Sequence, residues 1–160
     1  MSSVQRHRGF TLIELVVTLA LVGLVAYVSV PLYEVTSTRM REAELRAALR
    51  QIRMAIDAYK VAADTGVIQK SATDSGYPPS LQALVDGIES QRDAKEQRVM
   101  FLRHVPRDPF STDLSVAPAN QWVTRSYGSP PDDPQSGDDV YDVATRSTRV
   151  GLNGVPYKDW

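Results

Sequence analysis

Between Phe10 and Tyr33 the chain carries 24 residues and a single charge, Glu14. As a helix rising about 1.5 Å per residue, this run spans roughly 36 Å, more than the ~30 Å hydrocarbon core of a bilayer. The pattern predicts a membrane helix, continuous over residues 10–30. Gly23, Ala20, Ala26 and Ser29 leave room for close helix contacts. Pro31 lacks an amide donor and disfavours helix at Val30, so a kink or local unwinding is expected within residues 27–32. Arg6 and Arg8 stand just before the run. They keep the N-terminus cytoplasmic and put everything after Tyr33 on the far side.

From residue 34 to 63 the period remains helical but one face turns polar. Leu45, Ala48, Leu49, Ile52, Ala55, Ile56 and Tyr59 recur at spacings of three and four, so this half of a long helix must pack on a globular domain. Arg39, Arg46, Arg50, Arg53 and Lys60 occupy the other face, which is either solvated or a filament contact. Glu42–Arg46 and Arg53–Asp57 read as i,i+4 pairs, each worth a few tenths of a kcal/mol. Asp64 and Thr65 are turn residues, and Gly66 ends the helix.

Shorter periods follow. Residues 67–79 read as a loop with Gly76, Pro78 and Pro79. Ser80 caps a short helix whose Leu81, Leu84 and Val85 cover the long one. Residues 89–98 are charge-dense and read as an exposed helical or irregular excursion. Residues 99–102 fit a strand or a helix end, and Pro106–Phe110 fit a turn. Residues 121–127 and 140–145 have strand composition, with a third strand expected at 148–150. Asn153-Gly154 is a tight-turn dipeptide, and Tyr157 and Trp160 are expected to pack. The sum is an α+β fold: a long N-terminal helix, a short helix and a small antiparallel sheet.

Composition narrows the function. The formal net charge is −1. Removing Arg6 and Arg8 leaves 16 basic against 19 acidic residues, or −3. Nothing in that balance points to nucleic acid. There is no cysteine, so no disulfide staples the exported part. His104 is the one histidine beyond the first nine residues. Neither a Gly-x-Ser-x-Gly nucleophile motif nor a phosphate-binding glycine loop occurs. A membrane-anchored hydrolase, the reading from a different class, therefore has no catalytic constellation behind it.

Glu14 is the chemical anomaly. Charges within a membrane cost several kcal/mol and usually pair. Either Glu14 snorkels to the interface, or it meets a cation inside an assembly of like helices. Residues 1–9 form a short basic leader whose apolar core comes after the small residue Gly9, the reverse of an ordinary secretory signal. Cleavage after Gly9 would leave the amine of Phe10 one helical turn from Glu14. A neighbouring copy shifted along the axis would then bring that amine to this carboxylate.

Arg8-Gly9-Phe10-Thr11-Leu12-Ile13-Glu14 resembles the class III signal of type IV pilins and type II secretion pseudopilins. The resemblance implies that a prepilin peptidase cuts after Gly9 and methylates Phe10, and that Glu14 is needed for assembly. Pro31 is similar in place to the proline near the end of the family's membrane segment. The implied organisation is a cleaved leader at 1–9, a transmembrane assembly helix at 10–33 and a periplasmic pilin-like domain at 34–160. Many type IV pilins close a C-terminal loop with a disulfide, and this cysteine-free chain leans instead to the pseudopilins.

A second resemblance covers most of the rest. Tyr77-Pro78-Pro79 with its short helix, Val105-Pro106-Arg107-Asp108-Pro109-Phe110, Asp139-Val140-Tyr141-Asp142-Val143 and the closing Asp159-Trp160 are similar, in order and spacing, to segments of the major type II secretion pseudopilin. Many of those proteins bind calcium in the loop after the last strand. Here that loop, Thr145 to Lys158, has no Asp or Glu, and calcium wants six to eight oxygens with carboxylates among them. Asp132, Asp133, Asp138 and Asp139 sit earlier, either as candidate cation ligands or as a solvated acidic loop.

The resemblance thus implies a non-enzymatic subunit of a periplasmic pseudopilus that drives folded proteins across the outer membrane, without a cofactor. Its implied partners are further copies of itself, other pseudopilins, the prepilin peptidase and an inner-membrane assembly platform powered by a cytoplasmic ATPase. The alternative is a type IV pilin or minor pilin forming a surface fibre for adhesion, motility or DNA uptake.

Overall fold

The computed structural model describes residues 10–70, 75–91 and 98–160. One α-helix, α1 (Leu12–Asp64), runs for 53 residues. After it come a single helical turn α2 (Ala83–Asp86) and two antiparallel ladders. The first joins β1 (Ile88–Glu89) to β2 (Arg98–Val99), the second β3 (Trp122–Arg125) to β4 (Asp142–Thr145). Two 3₁₀ turns, Pro118–Gln121 and Tyr157–Asp159, complete the α+β fold. The chain forms two compact units, one up to Arg39 and one from Met40 to Trp160, and α1 supplies residues to both.

In the first unit the side chains of α1 are almost all exposed, among them Leu15, Val22, Val25 and Leu32. Among the described residues this is the one helix long and apolar enough to cross a membrane. Thr18, Ser29, Thr36 and Thr38 return their hydroxyls to carbonyls one turn earlier. The unwinding expected within residues 27–32 does not occur, because α1 is unbroken there. One proline removes one donor from a long ladder without ending the helix.

In the second unit the periodic face of α1 becomes the core. Leu45, Ala48, Leu49, Ile52, Ala55, Ile56, Tyr59, Ala62 and Ala63 are all buried. They pack with Ile68, Leu81, Leu84, Leu102, Val105, Trp122, Val140, Val143 and Tyr157. The helix stops as Gly66 anticipates. Gly66 adopts φ +70°, its N–H donates to Ala63 at 3.2 Å, and the Val67 N–H donates to Ala62 at 2.9 Å. This double closure satisfies carbonyls the helix would otherwise leave open.

Three local expectations need correction. Arg53 does not pair with Asp57. Its guanidinium reaches Asp142 and two backbone carbonyls, a fork of fixed acceptors that outcompetes an exposed i,i+4 pair. The expected Glu42–Arg46 pair does form, with Arg46 Nη2 3.8 Å from a Glu42 that is only 5% exposed. The segment 89–98 is irregular at neither end, because Glu89 pairs with Arg98; its Arg92, Asp93, Lys95 and Glu96 lie outside the described residues. The third strand is reduced to an isolated bridge between Val150 and Pro156. The N–H groups of Val155 and Arg149, which would extend the ladder, turn instead to the Asn153 and Ser147 side chains.

The β3–β4 register pairs Trp122 with Thr145 and Thr124 with Val143. Trp122, Val143 and Thr145 are buried, so this shared face lies against the core. The turn at Pro106–Phe110 docks beside it. Trp122 Nε1 donates to the Pro106 carbonyl at 3.0 Å. The buried Asp108 carboxylate accepts from the Thr145 hydroxyl and from the Phe110 N–H. The Asp108 N–H donates to the Gln121 side chain at 3.1 Å. Each of these buried polar groups thus has a partner, without which it would destabilise the core.

Candidate functional site

The helix start brings two sequence-predicted residues, Phe10 and Glu14, close along the chain. Phe10 and Thr11 precede α1, and Glu14 lies in its first turn. The Thr11 hydroxyl accepts the Glu14 N–H at 3.3 Å, and the Thr11 carbonyl accepts the Leu15 N–H at 3.1 Å. Thr11 is therefore the N-cap, with Glu14 three positions on. Thr-x-x-Glu is a capping-box pattern, a signal legible in the sequence that the reading of Glu14 as an intramembrane charge passed over. A carboxylate here also complements the positive end of the helix dipole.

Local geometry leaves the Glu14 carboxylate unused. It is exposed, and among the described residues no donor or cation meets it. Phe10 is 81% exposed. Gly9 lies outside the described residues. Pro31 lies within α1, more than four turns beyond Glu14.

The four aspartates do not converge. Asp132, Asp133 and Asp138 are exposed, and Asp133 accepts from the Gln135 side chain at 2.9 Å. Asp139 instead serves the fold. It accepts from the Ser126 hydroxyl at 2.6 Å and from the Tyr127 N–H at 2.9 Å. Burial raises its pKa, but hydrogen bonds from Ser126, Ser75 and Tyr127 outweigh that and hold the carboxyl below its ordinary range. Among the described residues, no three His, Cys, Asp or Glu side chains gather as a metal would require. His104 is exposed at a shallow groove lined by Arg50, Met54, Phe101 and Arg103.

The loop after β4 is closed by a group that sequence reading missed. The Glu42 carboxylate accepts the Leu152 N–H at 2.7 Å and the Tyr157 hydroxyl at 3.1 Å. Burial, and then the bond to Glu42, raise the Tyr157 pKa above its ordinary value. The Tyr157 ring stacks on Phe110 and meets Trp160 edge-on. Arg46 lies 4.2 Å over the Trp160 ring. No sequence signal marks Glu42, because its partners follow it by more than a hundred residues.

Comparison with known proteins bears on both ends of the chain. The family model described as the prokaryotic N-terminal methylation motif matches residues 4–26. Over 142 residues the chain is 28% identical to the type II secretion system core protein G of Klebsiella pneumoniae, covering 85% of this chain and 94% of that one. No solved structure matches with significance. The α+β architecture, with its long N-terminal helix, is consistent with a pilin-like fold. The chain thus carries the N-terminal methylation motif of type IV pilins and pseudopilins, and its likeness to a type II secretion core protein over most of its length supports a structural, pseudopilin role.

Proposed function

We propose that this chain is a building block of a type II secretion pseudopilus. The observation that carries the reading is the pairing of a methylation motif with Glu14, a carboxylate at the start of an apolar helix that meets no partner among the described residues. Such a charge is stable in a membrane when a neighbour supplies a cation. A prepilin peptidase cutting after Gly9 would create that cation as the amine of Phe10. Copies staggered along the filament axis then pair Glu14 with the next subunit's N-terminus, while Pro31 sits at the far end of the membrane segment.

In this reading the N-terminus is cytoplasmic, residues 10–33 cross the inner membrane and residues 34–160 face the periplasm. The subunit does no chemistry of its own. It assembles with copies of itself and with other pseudopilins on an inner-membrane platform, and its growth moves folded proteins outward.

The test is complementation of a strain lacking the chain, with wild type and with Glu14→Ala, in the presence of the peptidase. Wild type should restore secretion and form filaments, and Glu14→Ala should be processed yet neither assemble nor secrete. Normal secretion by the variant would overturn the pairing. Loss of surface fibres on deletion, with secretion intact, would favour the pilin or minor pilin instead.

A further inference from the structure

The loop after β4 presents no donor set for a divalent cation. Between Thr145 and Lys158 the charged side chains are Arg146, Arg149 and Lys158, all positive. Several of its side-chain oxygens are engaged within the fold. The Thr145 hydroxyl donates to Asp108 and accepts the Ser147 N–H at 3.0 Å. Asn153 Oδ1 accepts the Val155 N–H at 3.1 Å. Several backbone oxygens are engaged as well. Gly151 O accepts from Gly154, Arg149 O from Tyr157, and Val155 O from both Gly151 and the Trp160 indole. Asp142, just before the loop, is held by Arg53 and by the Val143 N–H. Calcium needs six to eight free oxygens, carboxylates among them, and a site carrying three positive charges repels it. The residues present do not fit a metal.

Besides Asp108, which meets Thr145 at the loop's start, the helix brings a carboxylate to this loop. Glu42 is nearly fully buried and bridges two points of the loop, the Leu152 amide and the Tyr157 hydroxyl. We infer that Glu42 is a built-in anion that closes the C-terminal loop, doing by hydrogen bonding what a cation and its ligands would do by coordination. The loop, with its Phe110–Tyr157–Trp160 aromatic stack, is therefore organised without calcium and depends on α1 for its closure. Removing Glu42 frees the Leu152 amide and unpairs the Tyr157 hydroxyl together, since both rest on one oxygen, Oε1.

The experiment compares the full-length chain in detergent, wild type and Glu42→Ala, each with chelator and with calcium chloride. Thermal unfolding and amide hydrogen exchange are the readouts. Wild type should unfold at the same temperature in both solutions and keep the Leu152 amide protected in chelator. Glu42→Ala should raise exchange at Leu152 by about tenfold or more, with no rescue by calcium. A wild-type midpoint that rises with calcium would overturn the inference, because a ligand that binds only the folded state stabilises it by mass action. Unchanged Leu152 protection in Glu42→Ala would overturn it equally. If Glu42→Ala does not fold, the wild-type comparison decides alone.

Discussion

The Arg53 guanidinium donates through Nε to Asp142 Oδ1 at 2.7 Å, joining the C-terminal part of α1 to the first residue of β4 across 89 positions. The same side chain uses Nη2 to reach the Val143 carbonyl at 3.1 Å and the Trp160 carbonyl at 2.8 Å. Three acceptors on two segments thus share one planar donor. Arg53→Ala should cost about 2 kcal/mol of stability, as expected for charged hydrogen bonds that are half exposed. Arg53→Lys should recover only part, since an ammonium cannot reproduce the fork. Denaturant unfolding of both variants checks this. Equal stability of the lysine variant and wild type would show that charge alone matters.

Ile52 is fully buried at the centre of the helical stripe. Ile52→Ala should destabilise the second unit by about 2–5 kcal/mol through lost burial and the cavity left behind. Met54, two residues on, is 70% exposed, so Met54→Ala should change stability by less than about 0.5 kcal/mol. Urea midpoints of the two variants, measured side by side, test whether the stripe faces the core as described.

Two glycines in one turn should respond differently. Gly154 has φ +80° and open space around it, so Gly154→Ala should cost only the left-handed backbone penalty, about 1 kcal/mol. A methyl at Gly151 would meet Trp160 at 2.6 Å and Tyr157 at 3.0 Å. Gly151→Ala should therefore be worse, about 2–3 kcal/mol, and should perturb tryptophan fluorescence. A Gly151→Ala protein with native fluorescence and stability would contradict the close packing of the loop against Trp160.

Tyr157 gives a pH signature. Its folded pKa is raised above the ordinary 10.0, first by burial and then by its bond to Glu42. A raised folded pKa means that the stabilisation is complete below the unfolded pKa and is lost as pH rises through the folded one. The melting temperature should thus fall as pH climbs past about 10. Tyr157→Phe should flatten that fall, because phenylalanine does not titrate. An unchanged alkaline slope in the variant would assign the effect elsewhere, with Tyr77, also raised by burial, as the next phenol to test.

Features set by neighbours in the chain were legible without coordinates. The three-and-four spacing from Leu45 to Tyr59 named the buried face, since a helix turns every 3.6 residues whatever it packs against. Gly66 and Asn153-Gly154 marked their turns because few residues tolerate the backbone angles needed there. The capping of α1 by Thr11 was equally local, and the Thr-x-x-Glu spacing carried it.

Only the tertiary structure decided which charges serve the fold. Glu42, Arg53 and Asp108 each look like solvent-facing residues in their local context. Their partners lie 110, 89 and 37 positions away. Local periodicity carries no information about such distances. A buried carboxylate is tolerable only where donors converge on it, and folding alone brings the Leu152 amide and the Tyr157 hydroxyl to Glu42. The sequence by itself therefore determined the long apolar helix, the core face and the N-terminal methylation motif. The closure of the C-terminal loop by a helix carboxylate was decided by packing.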